Sequence, residues 1–583
     1  MNLHALYHRS KQSWAYAYDL KTVKLRLRTE RNDIETVDVV YGDKYNWNMT
    51  EQTASMHKWM SDELYDYWEA AVQPPNGRLS YRFYLKKGES RIWYSERWCK
   101  EQPPKESFGN FEYPYLSSAD IISPPSWVKD AVFYQIFPER FANGNPAISP
   151  AHAQPWGGTP TTDNYFGGDL QGVIDHLDYL AELGINAIYL NPLFLAPSYH
   201  KYDTIDYWQV DPHFGTNETL KQLVTACHAK GIRVLLDLVF NHCGSHFPPF
   251  VDVLEKGQDS KYADWFLVRE WPMQVKDGKA SYETFGFEPT MPKFNTANPE
   301  LCEYLLNIAK FWIEETDIDG YRLDVANEVD HRFWRKLREV VKAAKPEAFL
   351  LGEIMHDSMA WLQGDQLDAV MNYPVTDFAL KFFVKNVMDS REFADAIATQ
   401  LTFYPQQVNE AAFNLLSSHD IPRLLTLCKG NKDRMKLASI FQFTYPGAPC
   451  MYYGDEIGLT GENDPDNRKC MEWNTAKQDH DLLDFFKKAI AMRKKYASLR
   501  YGDFIFLSAE PKDFRLIYER KLGEERFVII MNAAPHPQRI DAYISEGEWE
   551  DAWNGGFIEV GMAYSVTLPG FGFQILRAKE LKS

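Results

Sequence analysis

The chain has 583 residues, which is too long for one domain and suits three or four. It contains 63 Lys and Arg against 81 Asp and Glu, so the formal net charge is −18. An acidic chain without a basic stripe argues against nucleic acid and against an anionic membrane surface as partner.

The N-terminus and the cysteines bear on where the protein works. The sequence MNLHALYHRSKQSWAYAYDL lacks the charged start and unbroken apolar core of a secretory signal. No apolar run approaches the ~18 residues of a membrane span. The seven cysteines form no CxxC pair, which disfavours a disulfide framework and a zinc site. We therefore expect a cytoplasmic protein that does not contact membranes.

The first part of the chain has the pattern of β-strands. Residues 23–29 (VKLRLRT) and 79–88 (LSYRFYLKKG) alternate between apolar and polar side chains, and the second run ends in a turn signal. The stretch IISPPSWVKD at 121–130 is typical of a linker. We predict an N-terminal β-sandwich domain over residues 1–122.

A repeated unit follows the linker. An amphipathic helix, a glycine and a buried strand occur in this order three times, with Gly184, Gly231 and Gly320 as the glycines. Together with further apolar runs, this predicts strands at 131–137, 185–190, 232–240, 321–326, 349–354, 369–374, 412–418 and 450–456. Such a series indicates an α/β fold, a (β/α)₈ TIM barrel over 123–242 and 299–502. A doubly wound sheet is disfavoured by the strand count and by the missing Gly-rich phosphate loop.

Two further regions complete the predicted architecture. Gly184 and Gly231 are 47 residues apart, whereas Gly231 and Gly320 are 89 apart, so we predict a small inserted domain over 243–298. Residues 503–583 contain alternating runs such as FIFLSAE and RFVIIMN, and we predict a C-terminal β-sandwich there.

Polar residues stand where the predicted barrel strands end, which is where barrels place their chemistry. A single carboxylate there often caps a helix, and a single histidine is usually structural. Several neighbouring strand ends with such residues are harder to explain in that way, because close carboxylates repel one another. The residues are Asp237, Asn241, His242, Arg322, Asp324, Glu328, Glu353, His356, His419, Asp420 and Arg423.

The stretch GYRLDVANE at 320–328 predicts two unlike faces for strand four. Tyr321, Leu323 and Val325 would pack outward against helices. Arg322, Asp324, Ala326 and Glu328 would point to the barrel mouth, where charge is useful and not merely costly to bury.

The carboxylates suggest a reaction class. The sequence contains no HExxH motif and no tight Asp-x-Asp-x-Asp run that would support metal binding. Glycoside hydrolysis, in contrast, needs two carboxylates beside the bond that is cleaved, and such carboxylates are present. Arg322 lies two residues from Asp324 and should keep it ionised. Glu353 has no adjacent cation in the sequence, so we expect it to be the proton donor, with a raised pKa.

Four motifs give the sequence a family resemblance. DLVFNH, GYRLDVANE, LLGEIMH and SSHDIPR stand in the order of the conserved regions of the α-amylase superfamily of glycoside hydrolases. MPKFN at 291–295 and VANE at 325–328 resemble the neopullulanase, cyclomaltodextrinase and maltogenic amylase subgroup. The resemblance spans nearly the whole chain, including an N-terminal β-domain.

The resemblance implies roles for individual residues. Asp324 would be the nucleophile, Glu353 the acid and base, and Asp420 the residue that holds sugar hydroxyls and distorts the ring. Arg322 would orient Asp324, and Glu328 would face the acceptor side. The other substrate-binding residues implied are Tyr202, His242, Met355, His419, Asp464 and Arg468. Tyr45 matches a tyrosine that reaches into the partner's site in relatives; a buried strand-edge aromatic is the other interpretation.

Three departures from the subgroup stand out. Met355 replaces the usual Trp, so a flexible thioether takes the place of a flat stacking surface. Phe294 replaces Leu in MPKFN. In FANGNPAISP, Ile148 and Ser149 do not look like calcium ligands, which leaves Asn143, Asn145, Gly167 and Asp169 as a weak candidate site for structural calcium. The chemistry itself requires no cofactor.

The resemblance therefore implies a retaining glycosidase for α-1,4 bonds in cyclodextrins, maltooligosaccharides or pullulan, with some transglycosylation. It also implies a homodimer formed through the N-terminal domain, which would restrict the site to small oligosaccharides. Two alternatives stay open: a transglycosylase or α-1,6-glucosidase on the same fold, and a non-catalytic carbohydrate-binding protein, which the intact carboxylates disfavour.

Overall fold

The computed structural model describes residues 1–103 and 107–579 of the chain. Its N-terminal part is an antiparallel β-structure, as predicted, and its two predicted strands are present. Alternate side chains such as Leu25, Leu27, Tyr81 and Phe83 are buried in its core. The strands are Ala15–Ala17, Val23–Glu30, Thr36–Gly42, Gln52–Ser61, Tyr65–Val72, Leu79–Lys87, Ser90–Tyr94, Cys99–Lys100 and Phe111–Tyr113.

The centre of the molecule is a parallel barrel. Within the described ranges, barrel strands one to eight are Phe133–Ile136, Ala187–Leu190, Arg233–Leu238, Gly320–Leu323, Phe349–Gly352, Ala369–Val370, Phe413–Leu415 and Ala448–Tyr452. Each strand pairs in parallel with the next, and strand one also pairs with strand eight. A parallel bridge between Met371 and Phe413 joins strand six to strand seven and closes the ring. The predicted (β/α)₈ fold is confirmed.

Helices cover the outside of the barrel. The helix Pro299–Thr316 shows why they form: Asn298 accepts hydrogen bonds from the first-turn N–H groups, Pro299 suits the first turn, and Leu305 and Trp312 are buried on one face. The longer helices are Leu170–Asp175, Leu177–Leu183, Asn217–Ala229, Pro299–Thr316, His331–Ala344, Tyr373–Ala379, Ser390–Phe403, Gln406–Ala411, Lys432–Thr444 and His480–Lys495. The helix predicted before Gly184 is interrupted at His176.

The inserted segment follows barrel strand three. It contains the helix Pro248–Lys256 and a short hairpin of Val275–Lys276 with Lys279–Ala280. The end of the segment pairs with the residues that follow barrel strand three. His242 forms a β-bridge with Lys293, and the Phe294 N–H donates to the carbonyl oxygen of Asn241 (3.0 Å). These contacts set the segment against the barrel mouth.

The C-terminal part is again antiparallel β-structure. The predicted runs FIFLSAE and RFVIIMN correspond to the strands Asp503–Ala509 and Glu525–Asn532, and both pair with the strand Arg515–Leu522. The remaining strands are Gln538–Ala542, Gly547–Asp551, Phe557–Val560, Tyr564–Leu568 and Phe573–Ala578. The predicted domain bounds include residues 104–106 and 580–583, which lie outside the described residues.

Among the helices of residues 1–103 and 107–579, none is both long and apolar enough to cross a bilayer.

Candidate active site

The ends of barrel strands four, five and seven meet at one cleft. Asp324 directly follows strand four and Glu353 directly follows strand five, while Asp420 lies in the loop after strand seven. Backbone pairing fixes the first two, because Asp324 N–H donates to Leu238 O and Glu353 N–H to Leu323 O, each at 3.0 Å. The cleft has a volume of about 270 Å³ and is lined by His200, Tyr202, His242, Phe285, Met291, Asp324, Val325, Glu353, His419, Asp420, Asp464 and Arg468.

Arg322 lies fully buried beneath the cleft and contacts several carboxylates. Its Nη1 donates to both oxygens of Asp237 (3.0 Å) and to Oδ1 of Asp324 (2.6 Å). Its Nη2 lies 2.9 Å from Oε1 of Glu353. Glu353 has no adjacent cation in the sequence, but it has one in the folded protein, because barrel closure brings the same guanidinium to both catalytic candidates.

Desolvation shifts the protonation of these groups. Burial raises the pKa of Asp324 well above its ordinary value, and the charges of Glu353 and Asp237 add to the rise while Arg322 opposes it. The prediction that Arg322 keeps Asp324 ionised did not include this desolvation, which outweighs the effect of the guanidinium on the pKa. Desolvation also raises the pKa of Asp420 to about 6, with the negative charge of Glu353 as the next cause.

The chain leaves the strand conformation earlier than the alternating pattern predicted. Strand four ends at Leu323, and Val325 has a left-handed backbone with φ +44° and ψ +45°. Val325 consequently lines the cleft and donates its N–H to Oε2 of Glu353 (3.0 Å), while Ala326 is buried in the core. The two-face prediction holds for Tyr321, Arg322 and Leu323, and was wrong for Val325 and Ala326.

Neutral imidazoles form another wall of the cleft. Burial lowers the pKa of His242 to about 3, and its Nε2 is buried with no hydrogen-bond partner among the described residues. His419 stacks on Tyr202 with ring centroids 5.5 Å apart, and its Nε2 lies 2.6 Å from the Tyr202 hydroxyl. A buried unpartnered nitrogen costs free energy unless a ligand satisfies it, which suits a sugar hydroxyl.

One end of the cleft is held by Arg468. Its Nη1 lies 3.2 Å from Oδ1 of Asp464 and donates to the Tyr199 hydroxyl (2.9 Å). That hydroxyl in turn donates to Oδ1 of Asp464 (3.0 Å). The predicted pair Asp464 and Arg468 is therefore in contact, with Tyr199 as a connecting residue.

Family models match the chain over nearly its whole length. Residues 135–502 match the model described as "Alpha amylase, catalytic domain", residues 1–117 match "Alpha amylase, N-terminal ig-like domain" and residues 504–575 match "Maltogenic Amylase, C-terminal domain". The chain belongs to the α-amylase family.

Individual relatives agree with this membership. The chain is 53% identical to a protein named cyclomaltodextrinase from Geobacillus thermopakistaniensis, with 100% of each chain covered. It is 46% identical to a maltogenic alpha-amylase of Bacillus acidopullulyticus, covering 98% of this chain and 99% of the relative. A solved structure titled cyclomaltodextrinase superposes with a TM-score of 0.96 at 48% identity, over 99% of this chain and 100% of the other. Like these α-amylase family members, the protein is a glycosidase.

Several predicted residues of this α-amylase family member lie outside the cleft lining. Glu328 and Met355 are exposed, with the Glu328 carboxylate 3.1 Å from Lys293 Nζ. Tyr45 lies on the N-terminal domain and is 78% exposed, so it is not the buried strand-edge aromatic that was the alternative interpretation.

Sequence reasoning missed other residues at the site. Phe285 stacks on His242 with centroids 5.0 Å apart, and the Tyr373 hydroxyl lies 3.4 Å from Oδ2 of Asp420. Asp237 was noted at a strand end without a role, yet it accepts hydrogen bonds from Arg322 and from the Tyr202 hydroxyl (2.9 Å). Nothing in the local sequence distinguished Phe285 from the other aromatics of the inserted segment.

Three of the four calcium candidates, Asn143, Asn145 and Asp169, are engaged in local hydrogen bonds. Asp169 is fully buried and its oxygens accept hydrogen bonds from the N–H groups of Gly144 (3.1 Å), Asn145 (2.7 Å) and Gly172 (2.6 Å). Asn143 donates to Ser149 Oγ, and Asn145 Oδ1 accepts from Ala147 N–H. As placed, the residues do not fit a calcium ligand set, because their carboxylate is already engaged.

In residues 1–103 and 107–579, no three or more His, Cys, Asp or Glu side chains are placed to hold a metal ion. A chelator experiment is the test of whether the protein depends on calcium.

Proposed function

We propose that the protein is a retaining hydrolase of α-1,4-glucosidic bonds in cyclodextrins, short maltooligosaccharides and pullulan, with some transglycosylation. The observation that carries this is the sharing of Arg322 by Asp324 and Glu353. Carboxylates bonded to the two terminal nitrogens of one guanidinium must lie close together. A separation of about 5 Å distinguishes retaining from inverting enzymes, which need room for a water molecule.

The geometry supports a division of roles. Asp324 attacks the anomeric carbon while Glu353 gives a proton to the oxygen of the leaving sugar, and Glu353 then takes a proton from the water that releases the product. Asp420 faces the same cleft, where its carboxylate can accept hydrogen bonds from sugar hydroxyls. His242 Nε2, unpartnered in the described part of the chain, can bond the same sugar.

Substrate size follows from a proposed homodimer. The N-terminal domain exposes Tyr45 (78%), Met49 (82%) and Tyr115 (58%), and both tyrosine rings lie 5.7 Å from the guanidinium carbon of Arg78. Burial of this patch against a second copy would narrow the entrance to the cleft, so that only small oligosaccharides and cyclodextrins could enter.

We also propose a cytoplasmic location, which the name of a 44% identical relative, "Intracellular maltogenic amylase", supports.

A second candidate function is transfer or α-1,6 cleavage at the same site. It is favoured by Met355, which is 56% exposed where a flat indole is usual, so the acceptor side lacks a rigid stacking surface. A solved structure titled as a cyclic α-maltosyl-(1→6)-maltose hydrolase is 37% identical over 78% of this chain and 100% of its own, with a TM-score of 0.72.

Product analysis with β-cyclodextrin, pullulan and soluble starch in parallel tests the proposal. We expect cyclodextrin to be opened much faster than starch, with maltose and glucose as products. Starch cleaved as fast as cyclodextrin would reject the restricted site. Predominant transfer products, or cleavage of only α-1,6 bonds, would favour the second candidate.

Replacement of the nucleophile tests the mechanism. Asp324→Asn should lower kcat on β-cyclodextrin by at least about a thousandfold, because the amide cannot form the glycosyl-enzyme. Hydrolysis at the rate of the parent protein would reject the mechanism.

A further inference from the structure

Lys293 joins the inserted segment to the turn that follows barrel strand four. Its side chain is 17% exposed, and Nζ donates to the carbonyl oxygen and to Oε2 of Glu328, each at 3.1 Å. Nζ also donates to Oδ1 of Asn241, beyond the end of barrel strand three. An ammonium group has three N–H donors, so these contacts use all of them.

The turn that Lys293 holds, residues 325–328, is strained. The Glu328 N–H donates to the carbonyl oxygen of Val325 (3.1 Å) and closes the turn. Val325 has φ +44°, in the left-handed region that a β-branched residue rarely adopts. Such a conformation persists only where the surrounding structure holds it, and Lys293 provides a bond to the far end of the turn.

The same turn reaches the reacting groups. At its first residue, the Val325 N–H donates to Oε2 of Glu353 (3.0 Å), and Val325 itself lines the cleft. At its last residue, the Glu328 side chain is 44% exposed and would rotate freely without its partner. The backbone of Lys293 is held independently of Glu328, because it forms a β-bridge with the backbone of His242.

We propose that Lys293 is a positioning residue that fixes the turn 325–328 and the Glu328 carboxylate, and thereby sets the division between hydrolysis and transfer to a sugar. This rests on the proposed function, in which Glu328 faces the acceptor side. An ordered carboxylate can bond a hydroxyl of an incoming sugar, whereas a rotating one must be ordered first and so favours water as acceptor.

Substitutions of Lys293 test the proposal, with maltotriose as donor and glucose as acceptor. Lys293→Met removes the charge and the donors, and should lower the ratio of transfer to hydrolysis products about fivefold or more. Lys293→Arg keeps charge and donors and should restore most of the ratio. The matched control is Lys221→Met, which breaks a 3.3 Å pair with Glu315 on outer helices and should leave the ratio unchanged.

A double-mutant cycle with Glu328→Gln shows whether Lys293 acts through Glu328. We expect Lys293→Met to change the ratio little further in that background. An unchanged ratio in Lys293→Met, or fully additive effects, would overturn the proposal.

Loss of folding and failure of the proposed function are distinguished by other variants. If a fall in melting temperature prevents assay of Lys293→Met, the proposal requires that Lys293→Arg keep the ratio and that Glu328→Gln lower it; any other result overturns it. Failure of the proposed function would instead appear as undiminished hydrolysis by Asp324→Asn.

Discussion

Arg322 shares its guanidinium among Asp237, Asp324 and Glu353 at the base of the cleft. The carboxylates outnumber the cation, so the region is negative overall when they are ionised. Positive charge develops on the sugar ring as the glycosidic bond breaks, and fixed negative charge in a desolvated site stabilises it. The same crowding makes ionisation of Asp324 costly, which links the pH dependence of the rate to these neighbours.

Asp237→Asn should move the acidic limb of the kcat/KM profile to lower pH. Asp324 must be ionised to attack, so the rate falls as the pH falls through its raised pKa. Removal of the Asp237 charge takes away one cause of that rise, and the limb should shift downward. The measurement is hydrolysis of a chromogenic maltoside across the acidic range.

A suitable control for this variant is Asp368→Asn. Asp368 is also a buried carboxylate, paired with Arg338 and Lys342, but it precedes barrel strand six and so lies at the opposite end of the barrel. Its replacement should leave the limb in place. A limb that moves to higher pH in Asp237→Asn would contradict the electrostatic account of Asp324.

At the scale of elements, Asp169 connects the loop after barrel strand one to a helix. It caps the helix Leu170–Asp175 through Gly172 N–H and also accepts from Gly144 and Asn145 in the loop. One buried carboxylate thus satisfies N–H donors from two segments and holds the loop against the helix.

Asp169→Ala should lower the free energy of unfolding by at least about 2 kcal/mol, because it leaves buried N–H groups without partners. Chemical denaturation measures this, with the exposed Asp163→Ala as control.

A chelator such as EDTA should leave both the melting temperature and the activity of the parent protein unchanged. A marked loss of either on chelation would contradict this expectation and show that the protein depends on a metal ion.

At the scale of the whole molecule, the N-terminal β-structure presents apolar side chains to solvent while the cleft lies at the barrel mouth. Met49 and Tyr45 lie in and beside a short helix and bury little of their surface. Large exposed side chains such as these, and the Tyr45 and Tyr115 rings beside Arg78, are typical of an interface. The proposed dimer would connect this surface to the choice of substrate.

Met49→Asp should weaken the dimer and raise the rate on starch relative to β-cyclodextrin, because a charge placed in an apolar interface is costly to desolvate. Sedimentation analysis measures the mass, and parallel digests measure the ratio. Tyr543→Asp is the control, since Tyr543 is 82% exposed but lies in the C-terminal β-structure. A parent protein that sediments as a monomer would contradict the dimer.

Periodicity predicted all the barrel strands, because the apolar pattern of a buried strand is local to a few residues. It also placed Asp324, Glu353 and Asp420 at strand ends, where a barrel gathers side chains at one face. It failed at Val325, since a left-handed residue after a strand has no signal in a β-branched side chain.

The sequence by itself determined the barrel, the β-structure on either side of it and the residues that face the mouth. The tertiary structure decided which of them touch. Arg322 and Asp237 are 85 residues apart in the chain, and Lys293 and Glu328 are 35 apart. Their contacts arise when neighbouring strands pair and the inserted segment folds back. No local pattern encodes the desolvation and charge that result, because both depend on residues that only closure of the barrel brings together.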